Sequence, residues 1–294
     1  MKHDVHADPT QRGTKLAGER RMPRVAVVTG AASGIGRHWA GVLARTGEYQ
    51  LALCDVDEPA LRTAFTPGPG LSLHAFDVRS VDGWAALADD TVGRWGRIDY
   101  LFNIAGGGRP GFLLDVPLEL VDTTIDVNLK GQIYGMRLVG AVMARQRSGH
   151  IVNMSSLAGI SPTPGNELYS AAKCGLRAVS LASAVRFRER GVFVTVLCPD
   201  LVDTPTLLRH LHSKPEDVAL IHSAPRPLSV SEVEAALFRA MRDRCLEITL
   251  PRWRGWLARV NNLWPPLMLH LHGPLVRIGL ARLARRRRER LGTA

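Results

Sequence analysis

The chain has 294 residues, 46% of them hydrophobic, and a formal net charge of +11; that length bounds it to one large domain or two small ones, and the apolar content excludes a disordered chain. Residues 1–24 carry +3, residues 252–294 carry +9, and the middle is left at −1. The basic character therefore belongs to the ends, which argues against a body built to hold nucleic acid.

The first 22 residues lack the apolar core of a secretory signal. Residues 1–23 read as a disordered leader, with Met22 a second candidate start. Val25–Val28 is a short apolar run, followed by a glycine-rich turn and an amphipathic stretch from Ile35 to Arg45, so the pattern is strand, loop, helix. Further strands are expected at Leu51–Cys54, Leu71–Phe76, Ile98–Phe102, His150–Met154, Val192–Cys198 and 246–249. Helices are expected at roughly 58–65, 82–95, 118–147, 167–189 and 231–243. Short buried strands alternating with helices make parallel βαβ units, hence an α/β doubly wound parallel sheet of Rossmann type over residues 24–251. Right-handed crossovers place the loops after the strands along one edge, where ligands bind. Residues 252–294 change to Trp, Pro and Leu and then an arginine run, and read as a C-terminal extension. No uncharged apolar run of about 18 residues exists, so a spanning helix is not expected. Cys54, Cys174, Cys198 and Cys245 show neither metal nor redox spacing and read as reduced thiols of a cytoplasmic protein.

The first βα turn is Thr29-Gly30-Ala31-Ala32-Ser33-Gly34-Ile35-Gly36. Glycines at Gly30, Gly34 and Gly36 permit a tight turn, approach of backbone to a pyrophosphate, and close helix–strand packing. Ser33 and Ile35 lie between them. Asp55 ends the second strand, 19 residues after Gly36. A carboxylate there accepts both adenosine-ribose hydroxyls and repels a 2′-phosphate, which favours NAD over NADP. By itself Asp55 would read as a solvated strand end; after a glycine loop it reads as a ribose ligand.

Tyr169 and Lys173 stand four apart on one helix face. Ser156 follows the fifth strand, 13 residues before Tyr169, and Asn128 lies in the preceding long helix. Each alone reads as a helix, cap or surface residue. Together with Thr29–Gly36, Asp77-Val78, Asn103–Gly106, Ser155-Ser156 and Pro199–Thr204, they resemble the short-chain dehydrogenase/reductase family. The resemblance runs from about Arg24 to Leu250. It implies a nicotinamide-dependent oxidoreductase acting on an alcohol or ketone. No metal is expected, because His210, His212 and His222 have no convincing acidic or cysteine partners at ligand spacing.

The chemistry also follows from the residues. Hydride transfer to a carbonyl leaves an alkoxide that needs a proton, and the reverse reaction needs a base. A free phenol has a pKa of about 10 and is a poor base at neutral pH. An ammonium one helical turn away, with the cationic nicotinamide ring, favours the phenolate and lowers that pKa. Tyr169 is thus expected as the acid/base, Lys173 as its electrostatic tuner, and Ser156 as hydrogen-bond donor to the substrate oxygen. The resemblance further implies that Lys173 holds the nicotinamide ribose and that Asn128 holds a water for proton relay. It implies that Asp77 and Val78 flank the adenine, and that Asn103, Ala105 and Gly106 line the adenosine ribose. Pro199, Val202 and Thr204 are then expected at the nicotinamide end. Two departures stand out: Ile104 where members usually show Asn, and Asp200 where they usually show Gly.

Segment 203–228, the family's substrate lid, carries Leu207, Leu208, Leu211 and Ile221, which suggests a hydrophobic alcohol or ketone such as a sterol, terpenoid or acyl-chain compound. The tryptophans and leucines of 252–283 before the Arg285–Arg288 cluster match an interfacial segment at an anionic membrane surface. They match equally a solvated basic end that packs on a neighbouring subunit. A homodimer or homotetramer through 118–147 and 167–189 is expected from the resemblance. The competing reading is a catalytically idle NAD-binding regulatory protein on the same fold.

Overall fold

A computed structural model describes residues 22–292; the expected leader, apart from its last two residues, lies outside them. β1 (Arg24–Thr29) is buried along its whole length after Arg24. It leads through the glycine turn to α1 (Gly34–Thr46), β2 (Tyr49–Asp55), α2 (Glu58–Ala64), β3 (Leu71–Ala75), α3 (Val81–Trp95) and β4 (Tyr100–Asn103). α4 (Leu118–Ile125) passes through one π-helical turn (Asp126–Lys130) into α5 (Gly131–Gln146), and β5 (Gly149–Met154), α6 (Glu167–Glu189) and β6 (Val192–Pro199) follow. The lid holds α7 (Pro205–Leu211), α8 (Pro215–Val218) and a 3-10 turn (Ile221–Ser223). α9 (Val230–Asp243), β7 (Glu247–Leu250), α10 (Arg252–Leu263) and α11 (Pro266–Leu291) complete the described chain.

The seven strands form one parallel sheet in the order β3-β2-β1-β4-β5-β6-β7. This is the doubly wound, Rossmann-like arrangement the strand–helix alternation predicts. Helices cover both faces, which is why β1 reads as an unbroken apolar run rather than an alternation. On one face Val28, Trp39, Leu43, Phe102 and Leu237 pack together; on the other, Val27, Trp84, Leu101, Met143 and Ile151 do. Trp39 is fully buried, edge-on to Phe102 at 5.2 Å and to Phe238 at 4.9 Å. Truncating such a side chain costs on the order of 3–5 kcal/mol. Local signals set the helix ends. Gly47 closes α1 with φ of 67°, and Ser229 and Glu232 form a reciprocal capping box at the start of α9.

Two features differ from the sequence reading. The long helix expected at 118–147 contains the π turn, in which Asn128 is completely buried. The extension does not stand apart on a solvated surface. α11 lies against the lid, with Leu283 buried beside Leu211 and Val218. Gly279 meets the Ala219 carbonyl so closely that a Cβ there would fall 1.8 Å from its oxygen. Several arginines of the basic run fasten this contact. Arg286 donates to the Ala224 carbonyl at 2.9 Å and stands 2.8 Å from His222 Nδ1, Arg287 donates to the Ser213 carbonyl at 2.6 Å, and Arg282 donates to the Ser223 carbonyl. These side chains reach lid carbonyls of the same chain, a partner the sequence reading had not considered for them. Among the described residues no helix is long and apolar enough to cross a membrane.

Three buried histidines make the fold sensitive to acid. Burial pushes His150 and His210 down to about 4, and burial with the neighbouring Arg286 pushes His222 down to about 3. The unfolded chain takes up these protons near pH 6.5 and the folded chain only near pH 3–4. The unfolded state therefore binds more protons throughout that interval, and stability falls as pH drops through it. Denaturant melts between about pH 7 and pH 4 should show a steadily falling midpoint. His150→Asn should flatten the slope, and an unchanged slope would assign the acid sensitivity to other groups.

Candidate active site

The strand order reverses between β1 and β4, and the crevice above their carboxyl ends holds the site. The Thr29 hydroxyl closes the floor of that crevice. It accepts the Ile104 and Ala105 amides, both at 3.0 Å, and donates to the Phe102 carbonyl at 3.4 Å. The glycine turn is packed against this seam. Gly30 and Gly34 have φ of 71° and 55°, conformations that favour glycine. A Cβ on Gly30 would lie 3.0 Å from Ala105 Cα, and one on Gly36 would lie 2.1 Å from the Gly30 carbonyl oxygen. No side chain fits at Gly30 or Gly36, so the backbone of this turn and the first turn of α1 face the crevice. That cradle, with the Ser33 side chain making no cap bond, fits a pyrophosphate.

Asp55 is placed at the rim by its own hydrogen bonds. Oδ2 accepts the Ala32 amide at 2.8 Å and Oδ1 accepts the Asp57 amide at 3.0 Å. Asp77 accepts Arg79 through two guanidinium nitrogens at 2.9 and 2.7 Å, and this contact holds its carboxyl below the usual range. Val78 is buried against Gly131, and its carbonyl accepts Trp84 Nε1 at 2.9 Å. Asn103 turns into the core, where Nδ2 donates to Asn153 and to the Gln132 carbonyl. Only its backbone is left to line the crevice beside Ala105 and Gly106.

The four residues expected to carry the chemistry come from three places in the fold: Asn128 from the π turn, Ser156 from the loop after β5, and Tyr169 and Lys173 from α6. Tyr169 and Lys173 share one face of α6, with Lys173 Nζ 5.6 Å from the Tyr169 ring centre. Lys173 is 2% exposed, and Nζ donates to the Met154 carbonyl at the end of β5, at 2.8 Å. Ser155 and Ser156 are adjacent but differ in use. The Ser155 hydroxyl donates to the Lys173 carbonyl at 2.9 Å and pins α6, while the Ser156 hydroxyl accepts the Ala158 amide at 3.2 Å and makes a long 3.4 Å bond to the Pro199 carbonyl. Asn128 clamps the turn after β4: Oδ1 accepts the Gly107 amide at 2.9 Å and Nδ2 donates to the Gly107 carbonyl at 2.7 Å. A methyl group on Gly106 would lie 2.7 Å from Asn128 Oδ1 and 3.2 Å from Lys173 Nζ, so both polar heads converge there.

Burial dominates the protonation of this pair. It pushes the Tyr169 phenol up to about 12, against the pull of the Ser156 hydroxyl, and pulls Lys173 down to about 7. Enclosure disfavours both charges, and so opposes the effect expected of Lys173 and the nicotinamide ring on the phenol.

Ser156, Tyr169 and Lys173 line a cavity of about 410 Å³ that also takes in Gly106, Pro199, Val202 and Thr204. Leu207 and His210 of the lid form one wall. The opposite wall is one the sequence reading missed: Leu257, Val260 and Asn261 of α10 and Leu267, Met268, Leu271 and Leu275 of α11. Leu267, Leu271 and Leu275 recur every four residues, the spacing of one helix face, and that was the available signal. Asp200 finds its explanation here. Its carboxylate forms an ion pair with Arg254 of α10, so the residue that departs from the family pattern ties the loop after β6 to the extension. A second pair, Asp203 with Arg290, joins the same loop to α11.

The family model for short chain dehydrogenase matches residues 24–214. A 3-oxoacyl-acyl-carrier-protein reductase of Synechocystis sp. is 34% identical over 197 residues, 65% of this chain and 79% of that one. The 3-oxoacyl-acyl-carrier-protein reductase of Thermotoga maritima is 32% identical over 201 residues, 67% of this chain and 81% of that one. Among solved structures, a short chain dehydrogenase/reductase from Burkholderia phymatum in complex with NAD superposes with a TM-score of 0.72 at 27% identity, covering 84% of this chain and 95% of that one. The family match ends before α9, so Arg254 and the outer cavity wall lie beyond it.

The Asp200–Arg254 pair is largely shielded, and burial raises the Asp200 pKa while Arg254 opposes the rise. Arg254→Ala should destabilise the protein by about 2–4 kcal/mol, since it strands a buried carboxylate. Asp200→Gly in the same background should recover most of that loss in urea melts. Equal melts for the single and double variants would show that the pair is not coupled.

Proposed function

The chain belongs to the short-chain dehydrogenase family, and on that premise we propose that it moves a hydride between NAD(H) and a secondary alcohol or ketone with a hydrophobic body, with Tyr169 as acid/base. The observation that carries this reading is the placement of Tyr169, Lys173 and Ser156 as polar groups of a cavity whose outer walls are mostly aliphatic. Gly30, Ser33, Gly34, Ile35 and Gly36 would hold the pyrophosphate, Asp55 the adenosine ribose, and Val202, Thr204 and Lys173 the nicotinamide half. The bound nicotinamide supplies or accepts the hydride.

In the reductive direction Ser156 donates a hydrogen bond to the substrate oxygen and orients it toward Tyr169. Tyr169, protonated at neutral pH because its enclosure lifts the phenol to about 12, gives its proton to the developing alkoxide. Lys173, protonated, stabilises the phenolate left behind. In the oxidative direction Tyr169 takes the alcohol proton, and positive charge near the ring lowers the cost of the phenolate. Asn128 holds the Gly107 backbone at the start of the relay toward solvent.

NAD is favoured over NADP because two amides fix Asp55 at the rim, where a carboxylate would repel a 2′-phosphate. The likeness to the Burkholderia phymatum protein, solved with NAD, supports the same choice. We extend the proposal to a homodimer or homotetramer built on α4–α5 and α6, which leave Leu118 and Val185 exposed.

Tyr169→Phe should lower kcat on a hydrophobic secondary alcohol by about 10²–10⁴-fold or more, while NADH binding, followed by fluorescence titration, changes little. A wild-type chain that binds NADH but turns over no alcohol or ketone would instead favour an idle regulatory protein. Comparison of kcat/KM for NADH and NADPH should favour NADH, and a preference for NADPH would overturn the role given to Asp55.

A further inference from the structure

The tip where α10 meets α11 is unusual for a surface. Leu263 is 84% exposed and Leu269 81% exposed, with Trp256 at 63% and Trp264 at 57% beside them. Isolated apolar residues on a surface are ordinary, but a cluster of this kind marks an interaction site. The chemistry of the stretch narrows the partner. From Val260 to Val276 there is no Asp, Glu, Lys or Arg, and arginines flank it on both sides at Arg259 and Arg277. From Ile248 to Arg288 there is no acidic residue at all. The face is therefore an uncharged apolar tip flanked along the chain by arginines, of which Arg259 is paired with Glu247.

The tip is continuous with the site. Leu257 and Leu271 are 47% and 41% exposed, and both also line the cavity. An apolar molecule entering past them would reach Tyr169 from the same side as the exposed tryptophans. Arg254, Arg282, Arg286 and Arg290 hold the two helices to the lid and to the loop after β6, so the tip is presented on a fastened base.

We infer that the α10–α11 tip docks this enzyme on the surface of an anionic phospholipid bilayer, with Trp256, Leu263, Trp264 and Leu269 in the acyl–headgroup boundary and the cavity mouth facing the lipid. Indole rings settle at that boundary, aliphatic side chains enter below it, and arginines meet the anionic headgroups. No helix need span the membrane for this. The inference deepens the proposed function, on which it rests for the idea that the substrate is hydrophobic: substrate would pass from bilayer to cavity without crossing water.

The test uses the full-length protein with vesicles of phosphatidylcholine alone and of phosphatidylcholine mixed with phosphatidylglycerol. Flotation should carry the protein up with the mixed vesicles and much less with phosphatidylcholine alone. Trp256→Glu combined with Trp264→Glu and Leu269→Glu should lower the bound fraction by about tenfold or more, while circular dichroism and turnover of a water-soluble secondary alcohol stay unchanged. These side chains do not line the cavity, so lost flotation with retained turnover separates docking from catalysis. Wild-type protein that stays down with both vesicles, or a triple variant that floats like wild type, overturns the inference. So does a variant that loses mass in light scattering where wild-type protein shows no lipid binding, because the tip would then be a contact between copies of the chain. Flotation as expected with no turnover of any alcohol would leave docking standing and sink the proposed function instead.

Discussion

The Thr29 hydroxyl is the smallest group on which the rest of the site depends. It stands where the crossovers from β1 and from β4 leave in opposite directions, and it bonds three backbone groups of the facing loop. A strand end at this place would otherwise carry unpaired amides against an apolar core, at a cost of about 1–3 kcal/mol each. With Thr29 in place, Ile104 and Ala105 are held close enough that Gly30 can carry no side chain. The crevice is open because the backbone around it is pinned, and the same device recurs deeper in. Asn128 pins Gly107, Ser155 pins the carbonyl of Lys173, and Lys173 pins the end of β5. The heads of Asn128 and Lys173 are thus both satisfied by backbone beside Tyr169.

The extension obeys a different balance. Its ion pairs and arginine–carbonyl bonds are numerous, but exposed pairs contribute only about 0–1 kcal/mol each. Its apolar contacts carry more. Burial of one leucine such as Leu283 is worth roughly 1.5–3 kcal/mol, and the close approach at Gly279 brings two backbones together. The arginines therefore set register more than they hold the helices down. Arg282, Arg286 and Arg290 recur every four residues, so they lie on one side of α11 and meet the lid in sequence. That reading also accounts for Asp200 and Asp203. Two carboxylates in the loop after β6 gain partners from α10 and α11, and the loop, lid and extension become one connected wall around the cavity.

Much of this was legible in the sequence, and the failures have physical causes. Every strand expected from a short apolar run is present, with ends within about two residues, because burial on both faces writes itself as composition. The glycine loop was legible because only glycine fits its φ values and contacts. The π turn around Asn128 was not, since an i→i+5 register adds one residue to a helix without altering its polarity pattern. The inward turn of Asn103 was not, because its partners Asn153 and Gln132 are far away in sequence. The contact between the extension and the lid was not legible from charge, because spacing sets it. A net charge of +9 over 252–294 describes a field, but the leucine and arginine spacings describe two helix faces, one toward the cavity and one toward the lid.

On the proposed mechanism, Tyr169 and Lys173 would divide the two directions of the chemistry between them. Enclosure penalises phenolate and ammonium alike, so without further charge the resting pair leans toward neutrality, with the phenol near 12 and the amine near 7. A neutral phenol is the form a reduction requires, and Tyr169 holds it without help. A phenolate is the form an oxidation requires, and Tyr169 reaches it only when positive charge stands nearby. Protonated Lys173 provides one such charge. Burial pulls Lys173 down to about 7, so any neighbour that favours its charged form also favours the phenolate of Tyr169. Asn128 and Lys173 converge on Gly106, so the amine head is held in a polar corner rather than an apolar one. The corner lets the lysine be enclosed without losing its proton entirely, and the buried phenol depends on that proton to become a base.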